Sequence, residues 1–169
     1  MLYLLEKIQV ENNLILGIDQ SYTSTGCVIL NSEHDIIHHS LLNSDSKKDF
    51  FDRASYISTE INKIITLYTP TKILIEDLAF GGFGNAGRQL AGLQYVIITS
   101  LRNNLNTNAS LIPPTSLKKF ATGKGNSKKD EMYNALPEYA KNHFKNIKKT
   151  KGLGDITDAY WLARFGHGN

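Results

Sequence analysis

The sequence predicts an α/β protein in which a mixed five-stranded sheet is flanked by helices. Two short apolar runs, Leu14–Asp19 and Lys72–Glu76, have the length of buried strands, and both end on an acidic residue. After residue 49, segments with helical apolar periodicity alternate with such runs. The element order βββαβαβα with a C-terminal helix is typical of an α/β layered domain.

The first 42 residues predict three antiparallel strands. Leu14–Asp19 is the first strand, Gly26–Leu30 its partner, and Ile36–Leu42 the third. The connections Gln20–Thr25 and Asn31–Asp35 are short and polar, as expected for turns.

The middle of the chain predicts a helix, a strand and a loop. Apolar residues recur at helical spacing from Asp49 to Tyr68, and Thr69-Pro70 ends the helix. Lys72–Glu76 is too short for a helix, and we expect it to pair parallel to the first strand. Phe80–Gly87 contains four glycines and therefore predicts a loop.

The remaining segments complete the layered pattern. Helical periodicity resumes from Arg88 to Leu105, and Ser110–Ile112 predicts the last strand. Three helical segments are expected after it: Thr115–Phe120, a helix from Lys128 that Pro137 kinks or restarts, and Asp155–Phe165.

Length and composition are typical of a single domain. The chain has 169 residues, of which 41% are hydrophobic, so we expect one domain over residues 1–169 with residues 1–13 as an N-terminal extension. Glu6 and Lys7 interrupt the apolar start, which argues against a signal peptide or membrane helix. The single cysteine, Cys27, excludes an intramolecular disulfide and favours a cytoplasmic location.

Positive charge is concentrated in one segment. Residues 114–151 carry ten lysines against three acidic residues, a net charge of +7, although the whole chain has a net charge of only +3. This distribution fits a phosphate-binding surface beside an acidic site, and it fits a solvated lysine-rich helical face equally well.

Four carboxylates are candidates for one metal site. Asp19 and Glu76 end two strands that are expected to be parallel neighbours, so their side chains should lie at the same sheet edge. Asp155 and Asp158 are three residues apart and share one face of the last helix. Strand alternation points Asp77 to the other side of the sheet.

Such a cluster suits hard divalent cations. Converging carboxylates repel one another unless cations lie between them, and oxygen ligands select Mg²⁺ or Mn²⁺. Two such ions can activate water and stabilise the leaving oxygen in phosphodiester cleavage. Local roles stay open as alternatives: Asp19 could bind the Ser21 or Thr23 amide, Asp155 could be a helix N-cap, and Asp158 could interact with the helix dipole.

Three motifs closely resemble the RuvC family of Holliday-junction resolvases, in particular its phage-type members. They are Gly17-Ile18-Asp19-Gln20-Ser21, Ile73-Leu74-Ile75-Glu76 and Asp155-Ile156-Thr157-Asp158-Ala159, which together span nearly the whole chain. The resemblance implies an RNase H-like fold and a crossover junction endodeoxyribonuclease that nicks paired strands of four-way junctions as a homodimer. It further implies two Mg²⁺ or Mn²⁺ ions per active site, held by Asp19, Glu76, Asp155 and Asp158. A phage origin would also fit forks and other branches as substrates.

The resemblance also implies DNA-contacting residues. Lys118 and Lys129 match functional lysines of the family and would neutralise phosphate charge near the scissile bond. Because their neighbours Lys119 and Lys128 also fit, this assignment can shift by one residue. Phe80, or alternatively Phe83, matches an aromatic residue that stacks on bases. The remaining predicted DNA contacts are Arg88 and Lys124.

Family members dimerise through the helix after the loop, here Arg88–Leu105. Its apolar stripe with Tyr95 could therefore face a partner, although burial of the whole stripe in the core is an alternative. The glycine-rich Phe80–Gly87 loop departs from the bacterial pattern, which leaves the cut-site preference open. A phage-encoded protein would act in the host cytoplasm.

Two other functions use the same features. An RNase H-type nuclease of RNA–DNA hybrids would need the same acids, and a non-catalytic junction-binding module would keep the fold without cutting. None of these three functions predicts a membrane partner.

Overall fold

The computed structural model describes residues 13–78 and 84–168. The expected N-terminal extension therefore lies, apart from Asn13, outside the described residues. The strands are β1 (Ile15–Asp19), β2 (Thr25–Leu30), β3 (Ile36–Leu42), β4 (Lys72–Glu76) and β5 (Ser110–Ile112). The helices are α1 (Phe50–Tyr68), α2 (Asn85–Leu105), α3 (Pro114–Thr122), α4 (Lys129–Asn134), α5 (Glu138–Phe144) and α6 (Leu153–Gly168), with a 3₁₀ turn at Lys149–Lys151.

The five strands form one mixed sheet in the order β3-β2-β1-β4-β5. β1 pairs antiparallel with β2, and β2 antiparallel with β3. β4 pairs parallel with both β1 and β5. The predicted fold class, the antiparallel start and the parallel β1–β4 pair are all confirmed.

Each face of the sheet is covered by its own group of helices. Ile15 and Leu74 pack with α6 and the shorter helices α3–α5, whereas Leu16 packs on the opposite face with α1 and α2. Side chains alternate along a strand, so Asp19 and Glu76 belong to the α6 face. The two strand-end acids therefore point toward the helix that carries the other two.

Two glycines let α6 lie directly on the sheet. A Cβ atom at Gly17 would be 2.0 Å from the Ala159 carbonyl oxygen, and one at Gly26 would be 2.3 Å from the Asp155 carbonyl oxygen. Real Cβ atoms do not approach backbone this closely, so both positions need glycine for close helix–sheet packing. This contact sets the depth of α6 relative to the strand-end acids.

Replacing Gly17 with Ala should therefore destabilise the protein. The added methyl group must push α6 away from β1, and we expect a loss of about 1–3 kcal/mol in the free energy of unfolding, measured by urea denaturation. Gly92→Ala in α2 is the matched control, since a Cβ atom there meets nothing within 4 Å. Equal stability of the two variants would contradict this account of the packing.

Two helices begin earlier than the sequence predicted. α2 begins at Asn85 rather than Arg88, with the Arg88 amide donating to the Gly84 carbonyl, so residues 85–87 of the predicted loop are helical, whereas residues 80–83 lie outside the described residues. α6 begins at Leu153 rather than Asp155, because Leu153 is buried against the core. For α6, tertiary packing overrides the low helix propensity of the nearby glycines, whereas the first residues of α2 are mostly exposed.

The apolar stripe of α2 is used by the core. Leu93, Ile97 and Leu101 are buried on the α1–α2 face of the sheet, which is the alternative considered above. Tyr95 points elsewhere and is 68% exposed. The buried part of the stripe is therefore not available as a dimer surface.

Two further expectations are addressed by the structure. Cys27 is buried in β2 and forms no disulfide. In the ranges 13–78 and 84–168, the helices are all too short or too polar to cross a membrane.

Candidate active site

The site begins where β1 and β4 end. The last register pair of these parallel strands is Ile18 with Ile75, so Asp19 and Glu76 are the next residue on each strand. The residues before the acids, Ile15–Ile18 in β1 and Ile73–Ile75 in β4, are buried, and each acid is partly exposed. This arrangement at a sheet edge is the one that the sequence predicted.

Helix α6 adds a third acid to the pair. Carboxylate oxygens of Asp19, Glu76 and Asp158 all lie within 4.8 Å of one another. Three oxygen donors at this separation fit a hard divalent cation such as Mg²⁺ or Mn²⁺. Within the part of the chain that the structure describes, these three form the only group of three or more potential metal-ligating side chains that close together.

Asp155 lies in the same cleft but outside this tight group. Its carboxylate is 3.7 Å from the Lys129 ammonium, and the Asp155 side chain is 21% exposed. Asp155 is the third residue of α6 rather than its N-cap, since the Ile156 amide donates to the Gly152 carbonyl. The N-cap alternative for Asp155 is therefore wrong.

The electrostatics of the three-acid group are unfavourable without a cation. Burial and the neighbouring Glu76 and Asp158 raise the pKa of Asp19 well above its ordinary value. Burial and Glu76 raise the pKa of Asp158 to about 7. Burial also raises the pKa of Glu76, although its hydrogen bond with Asp19 and nearby lysines oppose the shift. A bound cation would relieve this cost by stabilising the ionised forms.

The other local role considered for Asp19 is not observed. The Ser21 amide donates to the Thr25 hydroxyl at 3.1 Å, and the Thr23 amide donates to the Ser21 hydroxyl at 3.2 Å. The Asp77 carboxylate accepts from the Leu78 amide at 2.8 Å and is not part of the three-acid group, as alternation predicted.

A cleft of about 550 Å³ opens over the acids and is flanked by lysines. Lys118 of α3, and Lys128 and Lys129 at the start of α4, line it. Lys119 and Lys124 are exposed but are not among the residues that line the cleft. Of the first pair of neighbouring lysines, Lys118 lies beside the acids and Lys119 does not. Of the second pair, Lys128 and Lys129 both line the cleft.

The remaining predicted DNA contacts are Arg88, Phe80 and Phe83, and Arg88 is not among the residues that line the cleft. Arg88 is exposed in the first turn of α2. Phe80 and Phe83 fall outside the described residues. Their predicted contacts with DNA stay predictions.

Sequence reasoning missed several polar residues of the site. Gln20, Ser21, Asn126 and Ser127 also line the cleft. Gln20 directly follows Asp19, which was an available signal. Gln94 of α2 reaches the Glu76 carbonyl from the opposite face of the sheet, and its only signal was a polar residue inside an apolar stripe.

A mixed sheet of this topology, with acids at adjacent strand ends and on the C-terminal helix, matches the RNase H-like fold class that the resemblance implied. Comparison with known proteins narrows the class. The family model described as "Crossover junction endodeoxyribonuclease RuvC" matches residues 15–163, and the chain belongs to this family.

Curated relatives agree with the family model. A crossover junction endodeoxyribonuclease RuvC from Brachyspira hyodysenteriae is 30% identical over 122 residues, covering 70% of this chain and 76% of the relative. The corresponding protein of Dictyoglomus thermophilum is 25% identical over 145 residues, covering 84% of this chain and 90% of the relative.

A solved structure shows the same fold. The T. thermophilus RuvC in complex with a Holliday junction substrate aligns with a TM-score of 0.72 at 14% sequence identity, covering 89% of this chain and 90% of that one. At this identity the likeness concerns the fold alone.

Proposed function

We propose that this chain is a single nuclease domain that resolves four-way DNA junctions by hydrolysing phosphodiester bonds at the three-acid group. The observation that carries the proposal is the convergence of Asp19, Glu76 and Asp158 in a lysine-flanked cleft. Family membership supports a branched substrate, because the relatives are named crossover junction endodeoxyribonucleases. Forks and other branches are further candidate substrates.

Asp19, Glu76, Asp158 and, at the edge, Asp155 would hold two Mg²⁺ or Mn²⁺ ions. Such ions would polarise the scissile phosphodiester and activate the attacking water. The protein's own part is to hold four carboxylates in a partly buried cleft and to balance the phosphate charge with Lys118 and Lys129. Lys129, 3.7 Å from Asp155, would also keep that carboxylate oriented.

The deciding experiment compares three substrates. Purified protein is incubated with Mg²⁺ and a synthetic four-way junction, a plain duplex or an RNA–DNA hybrid of the same sequence. We expect paired nicks in the junction and little cutting of the other two. Preferential hybrid cleavage would favour the RNase H-type reading, and tight junction binding without cleavage would favour the non-catalytic module.

Lys118 and Lys129 should contribute both to DNA affinity and to the cleavage rate. Each lost phosphate contact should lower the slope of log binding constant against log salt by about one. Lys118→Ala and Lys129→Ala should also slow cleavage of bound junction about 10–100-fold, measured under single-turnover conditions. The matched control is Lys119→Ala, since Lys119 is adjacent in sequence but does not line the cleft. A control as slow as Lys118→Ala would exclude a specific role for Lys118.

We further propose that the protein acts as a homodimer through the outer side of α2. Tyr95 is 68% exposed and Val96 38% exposed, and the Cβ position of Gly92, one turn earlier, faces open space. An exposed aromatic side chain beside an open glycine offers a surface that a second α2 could approach closely. A two-fold axis there would present two equivalent clefts to two strands of one junction.

Replacing Tyr95 with Lys should weaken this dimer. Burying a lysine ammonium at the interface is unfavourable, so we expect the dissociation constant to rise at least about tenfold in sedimentation analysis. Leu67→Lys on α1 is the control, because Leu67 is 74% exposed but lies on another helix. A wild-type protein that is monomeric at micromolar concentration would remove the basis of this proposal.

The cytoplasmic location and the phage origin stay predictions. So does stacking of Phe80 or Phe83 on DNA bases.

A further inference from the structure

The Glu76 carbonyl is held by side chains instead of by the sheet. The register of β1 with β4 ends at the Ile18–Ile75 pair, so Glu76 lies beyond the last pair of that ladder. Two glutamines fill the gap: the Gln20 side-chain amide donates to the Glu76 carbonyl at 3.3 Å, and that of Gln94 donates at 3.2 Å.

Both glutamines are almost fully buried. Gln20 is 5% exposed and Gln94 is 4% exposed. A buried amide that has lost its water needs a protein partner, and a carbonyl oxygen has two lone pairs to offer. The amide orientation follows from this contact, because a glutamine oxygen turned toward the Glu76 oxygen would be repelled.

The two donors come from opposite sides of the site. Gln20 follows Asp19 at the end of β1, and Gln94 belongs to α2, which packs on the face of the sheet opposite α6. The peptide that follows Glu76 is therefore held on two sides: Gln20 and Gln94 bind its carbonyl, and its N–H group, that of Asp77, donates to the Ile112 carbonyl of β5 at 2.8 Å. The direction in which the Glu76 side chain leaves the backbone is fixed with it.

We infer that Gln94 is a positioning residue for the nuclease site: through its hydrogen bond to the Glu76 carbonyl, it orients the Glu76 carboxylate toward Asp19 and Asp158. Gln94 does not line the cleft, so it acts through Glu76. The expected effect on the rate of junction cleavage rests on the proposed function. The effect on metal binding can be measured without cleavage.

The structure also ties this bond to the proposed dimer helix. Tyr95, the next residue of α2, is exposed on the outer side of the same turn. The hydrogen bond and the proposed dimer contact therefore lie on the same turn of α2.

The test replaces Gln94 with Met, which has similar size and tolerates burial but cannot donate a hydrogen bond. We expect the single-turnover rate of junction cleavage at saturating Mn²⁺ to fall about tenfold, as a small misplacement of a catalytic group would cause. The Mn²⁺ concentration for half-maximal rate should rise, and junction affinity measured without divalent cations should be unchanged.

The matched control is Ser100→Ala in the same helix. The Ser100 hydroxyl accepts a hydrogen bond from Asn62 of α1 at 2.7 Å, so its loss weakens α2 docking away from Glu76. This variant should lose thermal stability but keep the wild-type rate and Mn²⁺ dependence. If Gln94→Met matches Ser100→Ala in all three measurements, Gln94 is merely structural and the inference is wrong.

A second readout separates this inference from the proposed function. Mn²⁺ should raise the melting temperature of the wild type, and this increase should be smaller in Gln94→Met whether or not either protein cuts DNA. An equal increase in both proteins would overturn the positioning role. A wild type that binds Mn²⁺ but does not cleave junctions would instead contradict the proposed function and leave the positioning role intact. If Gln94→Met does not fold, Gln94→Asn, whose amide is one methylene too short to reach the carbonyl, should show the same defects.

Discussion

Replacing Asp19 with Asn should abolish junction cleavage while leaving junction binding intact. Asp19 is the most enclosed member of the three-acid group, and its pKa is raised by burial and by Glu76 and Asp158, which is the environment of a metal ligand. Asparagine keeps the shape of the side chain but removes the charge that would hold a divalent ion. We expect the single-turnover rate to fall roughly a thousandfold or more.

Binding should persist because DNA affinity depends mainly on phosphate contacts made by lysines. It is measured by gel shift with Ca²⁺ in place of Mg²⁺. Glu76→Gln should behave like Asp19→Asn, and Asp77→Asn is its matched control: Asp77 is adjacent in sequence, but its carboxylate accepts from the Leu78 amide outside the group. Cleavage by Asp19→Asn at near wild-type rate would show that the group is not the active site.

Replacing Asp158 with Asn should stabilise the metal-free protein at high pH. The pKa of Asp158 is about 7 in the folded protein, against an ordinary value of 3.8. A carboxyl group whose pKa is raised on folding contributes stability below its unfolded pKa, and that contribution is lost as the pH rises through the folded pKa. At pH 8 the ionised Asp158 therefore costs stability that an asparagine would not.

The expected difference is about 2–4 kcal/mol at pH 8 with chelator present, where the upper end corresponds to the full pKa shift. The difference should shrink as the pH falls through about 7 and should be nearly gone at pH 4. Denaturant unfolding at a series of pH values measures it. Adding Mn²⁺ should make the wild type more stable than the variant, since a bound ion stabilises the wild type and not the variant.

The histidines do not disturb this comparison. Burial lowers the pKa of His34, His38, His39 and His167 from 6.5, so both proteins lose stability as the pH falls below that value. This loss cancels in the difference between wild type and variant. Glu33→Gln, at an exposed hairpin position, serves as the control for a carboxylate-to-amide change outside the three-acid group. A gain in Asp158→Asn that is independent of pH would contradict the electrostatic explanation.

Most of the fold could be predicted because its signals are local. Apolar runs of strand length, turn residues between them and helical periodicity are each present within about 20 residues of sequence. The ends of α2 and α6 were predicted less well. Gly87 suggested a loop, yet α2 already begins at Asn85, and α6 begins two residues before its predicted start, at Leu153, which is buried against the core.

The candidate site, too, could be predicted only in part from the sequence. Asp19 and Glu76 could be recognised because each ends a predicted strand, and the parallel pairing placed them together. The different positions of the Asp155 and Asp158 carboxylates could not be recognised. Both share a helix face, but only the docking of α6 brings Asp158 to the strand-end acids and leaves Asp155 beside Lys129.

The sequence by itself determined the order and type of the elements, the two acids at strand ends and the family, since these depend on residue types at short spacing. Only the tertiary structure decided which residues meet across the sheet. Gly17 and Gly26 let α6 approach closely, Lys118 rather than Lys119 lines the cleft, and Gln94 holds the Glu76 carbonyl. Such contacts join residues far apart in the chain, and their geometry depends on how helices seat on the sheet, which no local pattern encodes.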